Sequence, residues 1–275
     1  MSDPQKLPSD PVKPELSVIV PIYNEEDILW RNMVEIAPYF DRLVGPDLWQ
    51  FVLVDNGSSD NSPVIVRKIV ENWPTSIAVT LATADYGNAL RAGLANATAP
   101  YGHIINVEQW DMPFLEWAWT HRRRYDLILG SKRADPTVNH QSTQRRFLSW
   151  GLNSLLSLLF EHTAADTHGP KLIKMDTMRP IFEASVMSRG QFDTEFTLRA
   201  LRAGLWLAEA PTIYVEQRPP RNFMIGKIMQ NLFDLMRLRK LIQPLPYAGH
   251  LKFHRWSRYD VIDAASEVIC PREND

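Results

Sequence analysis

Leu16-Ser-Val-Ile-Val-Pro-Ile-Tyr-Asn-Glu-Glu26 begins as an apolar, β-branched run and ends in a proline, a tyrosine and carboxylates. The apolar part, 16–22, is short and rich in the side chains that suit a buried strand. Phe51-Val-Leu-Val54 repeats that pattern and ends in Asp55-Asn-Gly-Ser-Ser-Asp60. Between them, Glu25 to Phe40 carries Ile28, Leu29, Met33 and Ile36 on one helical face. Outward from this unit, helices are expected at 62–73, 88–96 and 114–121, and strands at 77–81, 103–107 and 125–129. Such alternation predicts an α/β fold, a mostly parallel central sheet with helices on both faces.

The second half reads differently, with longer helices, fewer strands and more arginine. A polar loop covers 132–144, followed by a helix at Phe147–Phe160 and a short segment at Lys171–Met175. A helix at 194–203, a strand at Thr212–Glu216 and a long helix at 223–242 complete the pattern. Beyond Gln243 the mixture of Pro, His, Arg and aromatics shows no periodicity.

The 275 residues include 30 Lys+Arg and 32 Asp+Glu, a formal charge of −2, which excludes nucleic-acid binding through bulk charge. Apolar residues at 45% supply ample core. Cys270 is the single cysteine, so no intramolecular disulfide or Cys/His zinc framework forms and a reducing compartment is expected. Residues 1–15 are Pro-rich and polar without an apolar h-region, and read as a flexible leader. No apolar stretch reaches the ~18 residues of a spanning helix; Phe147–Phe160 is broken by Ser149, Gly151, Asn153, Ser154 and Ser157.

In an open parallel sheet, ligands bind beyond the carboxyl ends of the strands. The loops there lack GxGxxG and GxxxxGK[ST], so the glycine cradles of dinucleotide and P-loop sites are missing. They offer an aromatic ring and carboxylates, which suit stacking a base and accepting hydrogen bonds from base N–H and ribose hydroxyls. Asn24 and Asp60 also read as helix caps, and Pro21 as a strand end.

Together, SVIVPIYNEED (17–27) and VLVDNGSSDNS (52–62) resemble family-2 glycosyltransferases, which have the nucleotide-binding GT-A fold. The resemblance continues through YGNALRAGL (86–94), LGSKR (129–133), DTHGPK (166–171) and FDTEF (192–196), and covers roughly 16–240. Within the family it is most similar to the dolichyl- or polyprenyl-phosphate sugar transferases. It implies that Pro21, Tyr23 and Glu25 line a nucleobase pocket, that Asp55 binds base or ribose, and that Arg133 and Lys171 meet phosphate oxygens. Arg145, Arg146, Arg218 and Arg221 are further arginines suited to phosphate. Two departures stand out: Asn56 where the family usually has a second acid, and Asp85 where it often has Lys or Gly beside the diphosphate.

The family's Asp-x-Asp, which holds a divalent cation, is replaced by Asn106-Val107-Glu108. A hard cation bound by a carboxylate and substrate phosphates would neutralise the departing diphosphate. The expected cofactor is therefore Mg2+ or Mn2+, with Glu108 and Asp111 as candidate metal ligands. Asp193, then Glu195, are the candidate catalytic bases of an inverting transfer, although acids near a helix N-terminus also answer the helix dipole. An ionised lipid phosphate needs no strong base, and Asp193 then orients other groups. The run His121-Arg-Arg-Arg124 falls at the opposite end of the fold and reads as a solvated face, and His250/His254 is too weak a pattern for a metal site.

Met224, Ile228, Leu232, Leu235 and Met236 form an apolar stripe flanked by Lys227, Arg237, Arg239 and Lys240. That pattern suits either a helix lying in an anionic membrane interface or one packed on the catalytic domain. The organisation expected is a leader over 1–15, a GT-A domain over 16–220, and a C-terminal amphipathic helix and tail over 221–275. The function implied is inverting transfer of a sugar from a nucleoside-diphosphate sugar to a polyprenyl-phosphate-like lipid, by a cytoplasmic enzyme peripheral to the membrane. Asn56, Asp85 and the altered metal motif motivate an alternative, a non-catalytic nucleotide-sugar-binding or scaffold protein. The absent spanning segments motivate another, a glycosyltransferase acting on a glycan or small molecule.

Overall fold

The computed structural model describes residues 13–108, 110–131, 167–188, 190–212, 225–242 and 253–255, with backbone alone for 225–232 and 253–255. Strand and helix alternate through β1 (Leu16–Ile22), α1 (Leu29–Leu43), β2 (Trp49–Asp55), α2 (Ser62–Asn72), β3 (Ile77–Thr80), α3 (Tyr86–Asn96), β4 (Tyr101–Ile104), α4 (Met112–His121) and β5 (Leu127–Ser131). There follow β6 (Lys171–Lys174), α5 (Met175–Ala184), α6 (Gln191–Arg202), β7 (Leu207–Pro211), α7 (Ile225–Ile242) and β8 (Phe253–Arg255). Among the described residues the eight strands form one sheet in the order β3-β2-β1-β4-β6-β5-β7-β8. Every pairing is parallel except the two made by β6.

Both faces of the sheet are covered, which is why its strands are apolar at consecutive positions. Along β1, Leu16, Val18, Val20 and Ile22 face a core built with α1, α2 and α4, whereas Ile19 faces one built with α3, α5 and α6. Phe40, Trp49, Phe51 and Trp73 pack edge-on or tilted in the first core, with ring centroids 4.8 to 6.1 Å apart. Each such pair contributes about 0.5–1.5 kcal/mol beyond its buried area.

The reversal of β6 is what positions the site. Its first residue, Lys171, lies opposite Ile104 of β4 and Leu129 of β5, so a strand beginning delivers a lysine to the edge where its neighbours end.

Two elements differ from expectation for identifiable reasons. The helix expected from Glu25 starts at Leu29, because the intervening residues bind the loop after β2. A strand that the sequence reading did not include, Leu207–Pro211, lies just ahead of the one expected at 212–216, in register with β5 from Leu127↔Leu207 to Ser131↔Pro211. Buried Glu209 and terminal Pro211 disguise it, and 213–216 lie outside the described residues. So do the expected 132–144 loop and the Phe147–Phe160 helix. His121-Arg-Arg-Arg124 is only half a solvated face: Arg123 and Arg124 are exposed, while Arg122 lies 4.1 Å over the Trp119 ring and His121 stacks on Trp117.

Candidate functional site

The loops after β1 and β2 are zipped together by hydrogen bonds. Asn24 N donates to Ser58 Oγ (3.1 Å), and Ser59 N donates to Asn24 Oδ1 (2.8 Å). Glu25 N donates to Ser62 Oγ (2.9 Å) and Glu26 N to Asp60 Oδ2 (3.1 Å). Asn61 answers from the other side, its N and Nδ2 donating to Glu26 Oε2 at 2.9 and 2.8 Å. Asn24 adopts φ 55° and Gly57 φ 71°, left-handed conformations that these two residue types tolerate. Asn24 and Asp60 therefore join the two loops, and Asp60 also accepts from Ser62 N, the first residue of α2, at 2.9 Å.

The zipper fixes what projects from the strand ends. Ile22 and Asp55 are partners in the β1–β2 register, and the next residue, Tyr23, is 49% exposed. Asp55 is buried, its Oδ1 accepting from Ser58 N at 3.1 Å. Pro21 and Glu25 are half-buried beside them. An exposed ring next to a buried carboxylate can stack a planar heterocycle and accept hydrogen bonds from it.

Asn56 carries the construction onward. Its Oδ1 accepts from Asp85 N (2.8 Å), and Asp85 Oδ1 accepts from Asn88 N (2.9 Å), capping α3. The residue that departs from the family's second acid thus holds the residue that departs from its Lys or Gly. Asp85 has a structural use that its charge alone did not suggest. Next in the chain, Tyr86 is pushed well above its ordinary pKa by burial and by the charge of Asp193, so its phenol stays protonated.

Lys171 and Asp193 form an ion pair at 2.8 Å, each side chain only 1% exposed. Lys171 Nζ also donates to Gly169 O (2.9 Å), while neither Asp193 oxygen accepts a hydrogen bond of good angle among the described residues. The DTHGPK and GSKR segments meet here: Gly130 N donates to Pro170 O (2.8 Å), and a Cβ on Gly169 would collide with the Gly130 carbonyl. Arg133, Arg145, Arg146, Arg218 and Arg221 lie outside the described residues.

The turn after β4 is held from α1, where buried Asn32 donates from Nδ2 to Val107 O (2.8 Å). Glu108 is half-buried in this turn and Asn106 exposed. Asp111 caps α4, its Oδ1 accepting from Phe114 N (3.1 Å) and its Oδ2 from Thr212 Oγ1 (2.9 Å). Each Asp111 oxygen accepts one of these hydrogen bonds, and a carboxylate oxygen has a second lone pair with which it could join Glu108 at a cation. Among the described residues no group of three or more His, Cys, Asp or Glu could hold a metal ion. Glu108 and Asp111 fit the mode in which one or two carboxylates and substrate phosphates share a hard cation.

Residues 17–169 match the family described as Glycosyl transferase family 2. The chain belongs to that family. As a glycosyltransferase it is 25% identical over 218 residues to a dolichyl-phosphate beta-glucosyltransferase of Trichomonas vaginalis, covering 75% of this chain and 68% of that one. It is 28% identical over 201 residues to a dodecaprenyl-phosphate galacturonate synthase of Rhizobium johnstonii, covering 68% of this chain and 53% of that one. Among solved structures, glucosyl-3-phosphoglycerate synthase from Mycobacterium tuberculosis, in complex with Mn2+, uridine-diphosphate-glucose and phosphoglyceric acid, superposes with a TM-score of 0.55. It is 17% identical and the match covers 82% of this chain and 80% of that one, a likeness of fold, here GT-A.

Asp193 is the first candidate base of this glycosyltransferase and Glu195 the second, and their surroundings differ. Glu195 is fully buried, its Oε2 accepting from Val186 N (2.8 Å) and Met187 N (2.6 Å) and its Oε1 from Arg199 Nε (2.8 Å). It clamps the 185–188 segment and has the bonding pattern of a structural residue, leaving Asp193 as the acid with spare acceptor capacity. Arg91 holds the same segment from α3, donating to Ser185 O (3.2 Å) and Met187 O (2.9 Å). Arg91, Asn32 and Tyr86 were not singled out from the sequence. Asn32 had a signal, a polar residue within the apolar face made by Leu29, Met33 and Ile36.

Proposed function

We propose that this glycosyltransferase moves a sugar, with inversion, from a nucleoside-diphosphate sugar to a polyprenyl-phosphate-like lipid, working peripherally at the cytoplasmic face of a membrane. The observation that carries the reading is the zipped loop pair presenting Tyr23 beside buried Asp55, at the sheet edge to which β6 brings Lys171. Tyr23 stacks the base, Pro21 and Glu25 line its pocket, and Asp55 accepts from base or ribose. Lys171 and Arg133 meet the diphosphate, since cationic donors strengthen hydrogen bonds to phosphate oxygens. A divalent cation, when bound through Glu108, supplies charge neutralisation to the leaving diphosphate.

The acceptor phosphate is already ionised near neutral pH, so its oxygen attacks the anomeric carbon as the bond to the diphosphate breaks, with no proton to remove. Asp193 then has an orienting task, for which its 1% exposure and its 2.8 Å pairing with Lys171 suit it. The dolichyl- and dodecaprenyl-phosphate relatives support the acceptor class, and the single cysteine fits a reducing compartment. Among the described residues no helix is long and apolar enough to cross a membrane.

Thermal unfolding with UDP and GDP, each with and without Mn2+, tests the donor half. A ligand at ~100 times its Kd stabilises by about 2.7 kcal/mol. A nucleotide-dependent shift that Tyr23→Ala removes, with its Mn2+ component removed by Glu108→Ala, is the expected result. Absence of any shift, with other nucleoside diphosphates also silent, would sink the pocket. Transfer of labelled sugar to a short-chain polyprenyl phosphate tests the acceptor half.

A further inference from the structure

Within α7, the inward face is already satisfied. Leu235, Leu238 and Ile242 are at most 1% exposed and pack with Met187 and Leu198. Periodicity puts Leu235 and Met236 on one stripe, membrane-facing or packed on the domain; the structure buries Leu235 and leaves Met236 exposed. The helix has a second apolar feature on its outer side. Phe233 is 68% exposed and Met236 53%. With the exposed Arg237 and Lys240 they occupy positions i, i+3, i+4 and i+7, one helical face. Asp234 and Arg239 flank that face, half-buried. Val186, 53% exposed, immediately precedes Met187, which packs beneath α7.

We infer that this outer face of α7, Phe233 and Met236 with Arg237 and Lys240, docks on an anionic lipid surface. Large apolar side chains interleaved with cations and free of carboxylates are complementary to lipid headgroups over acyl chains. The seat of α7 also ties the face to the reaction site. Met187, under the helix, lies in the segment that Glu195 holds from α6 by its backbone N–H groups and Arg91 holds from α3 by its carbonyls. Asp193 lies two residues from Glu195 on α6, and Tyr86 opens α3. A bilayer under α7 would therefore sit in a fixed relation to the Lys171–Asp193 pair. The inference rests on the lipid-acceptor reading and specifies its docking surface.

The test is co-sedimentation of the full chain with phosphatidylcholine vesicles, with and without phosphatidylglycerol. Binding should require the anionic lipid and weaken with salt. Arg237→Gln with Lys240→Gln should lower the partition coefficient about 25-fold, roughly fivefold per cation. Phe233→Ser with Met236→Ser should also release the protein, and neither pair should alter thermal stability because all four side chains are exposed. Wild-type protein that ignores anionic vesicles, or variants that bind as well as wild type, would overturn the inference. So would a wild-type dimer in sedimentation that Phe233→Ser with Met236→Ser splits, which would assign the face to a second copy of the chain. Transfer to a short-chain polyprenyl phosphate in solution separates the two readings. If transfer persists without vesicle binding, docking alone fails; if face-dependent binding persists without transfer, docking stands and the acceptor assignment fails.

Discussion

The two ends of the site are built by opposite means. Around Tyr23 and Asp55, many hydrogen bonds of ordinary strength join two partly exposed loops, and no single one dominates. Around Lys171 and Asp193, one ion pair is shut away with 1% of each side chain exposed. The difference is one of risk: a distributed zipper should lose function by degrees, whereas a buried pair should fail when either partner goes.

The largest effect should therefore come from Lys171→Met or Asp193→Leu alone. Each strands an uncompensated buried charge, which costs about 3–5 kcal/mol. The double variant should recover much of that loss, because replacing both members of a buried pair by apolar groups is often near neutral. Urea denaturation of the four proteins measures it. If the single variants lose less than ~1 kcal/mol, the charges are better solvated than their burial indicates and the contrast between the two ends collapses. Transfer activity should be lost in the double variant even where stability returns, since Lys171 is the group proposed to meet the diphosphate.

A smaller effect lies on the seam between the two ends, where β4 meets β6. His103 is fully buried, its Nδ1 lies 3.0 Å from Lys171 O, and its ring stacks on Phe114. Burial lowers its pKa to about 4, against the favourable hydrogen bond to Lys171. In the unfolded chain the value returns to ~6.5, so between those limits the unfolded state binds more protons. The stabilisation is complete above pH ~6.5 and falls by about 3 kcal/mol as pH drops to ~4. Urea titrations across that range should show the slope in wild type and a flatter one in His103→Gln. Equal slopes would mean that the seam is not the acid-sensitive element.

The same contrast explains what could be read from the chain before its structure. The first half is made of local units, each strand followed by the helix that covers it, so composition and periodicity placed β1 through β5 within a few residues. Its loop motifs are contiguous in sequence, and Tyr23 and Asp55 were accessible for that reason. The second half depends on long-range pairing. Nothing local distinguishes Leu207–Pro211 as a strand, because its buried Glu209 interrupts the apolar pattern and its register with β5 is set by residues far away in sequence. The surroundings of Glu195 were hidden on similar grounds: its place near a helix start makes it the second candidate base, and its bonds to Val186 and Met187 are visible only once the 185–188 segment folds back on α6. The apolar periodicity of α7 was correctly seen as helical, yet periodicity alone could not separate the face on Leu198 from the face carrying Phe233.

The smallest expected change in stability is at the zipper, and it sharpens the comparison most. Asp60 accepts from Glu26 N at 3.1 Å and from Ser62 N at 2.9 Å. Partial burial raises its pKa, but the Ser62 hydroxyl and the backbone N–H groups of Ser62 and Glu26 outweigh that and leave it lowered. Its contribution is therefore present above the ordinary carboxylate pKa and disappears as pH falls through the lowered value. Asp60→Ala should cost about 1 kcal/mol, since the freed N–H groups can reach water and the remaining bonds persist. Nucleotide affinity should fall more than stability does, roughly tenfold, because the loops would then have to be ordered at the expense of binding free energy. Tyr23→Ala should show the complementary result, with affinity reduced and stability unchanged, because its ring is already exposed. Should Asp60→Ala destabilise the fold by several kcal/mol, the zipper would be as concentrated as the buried pair, and the two ends would differ only in their chemistry.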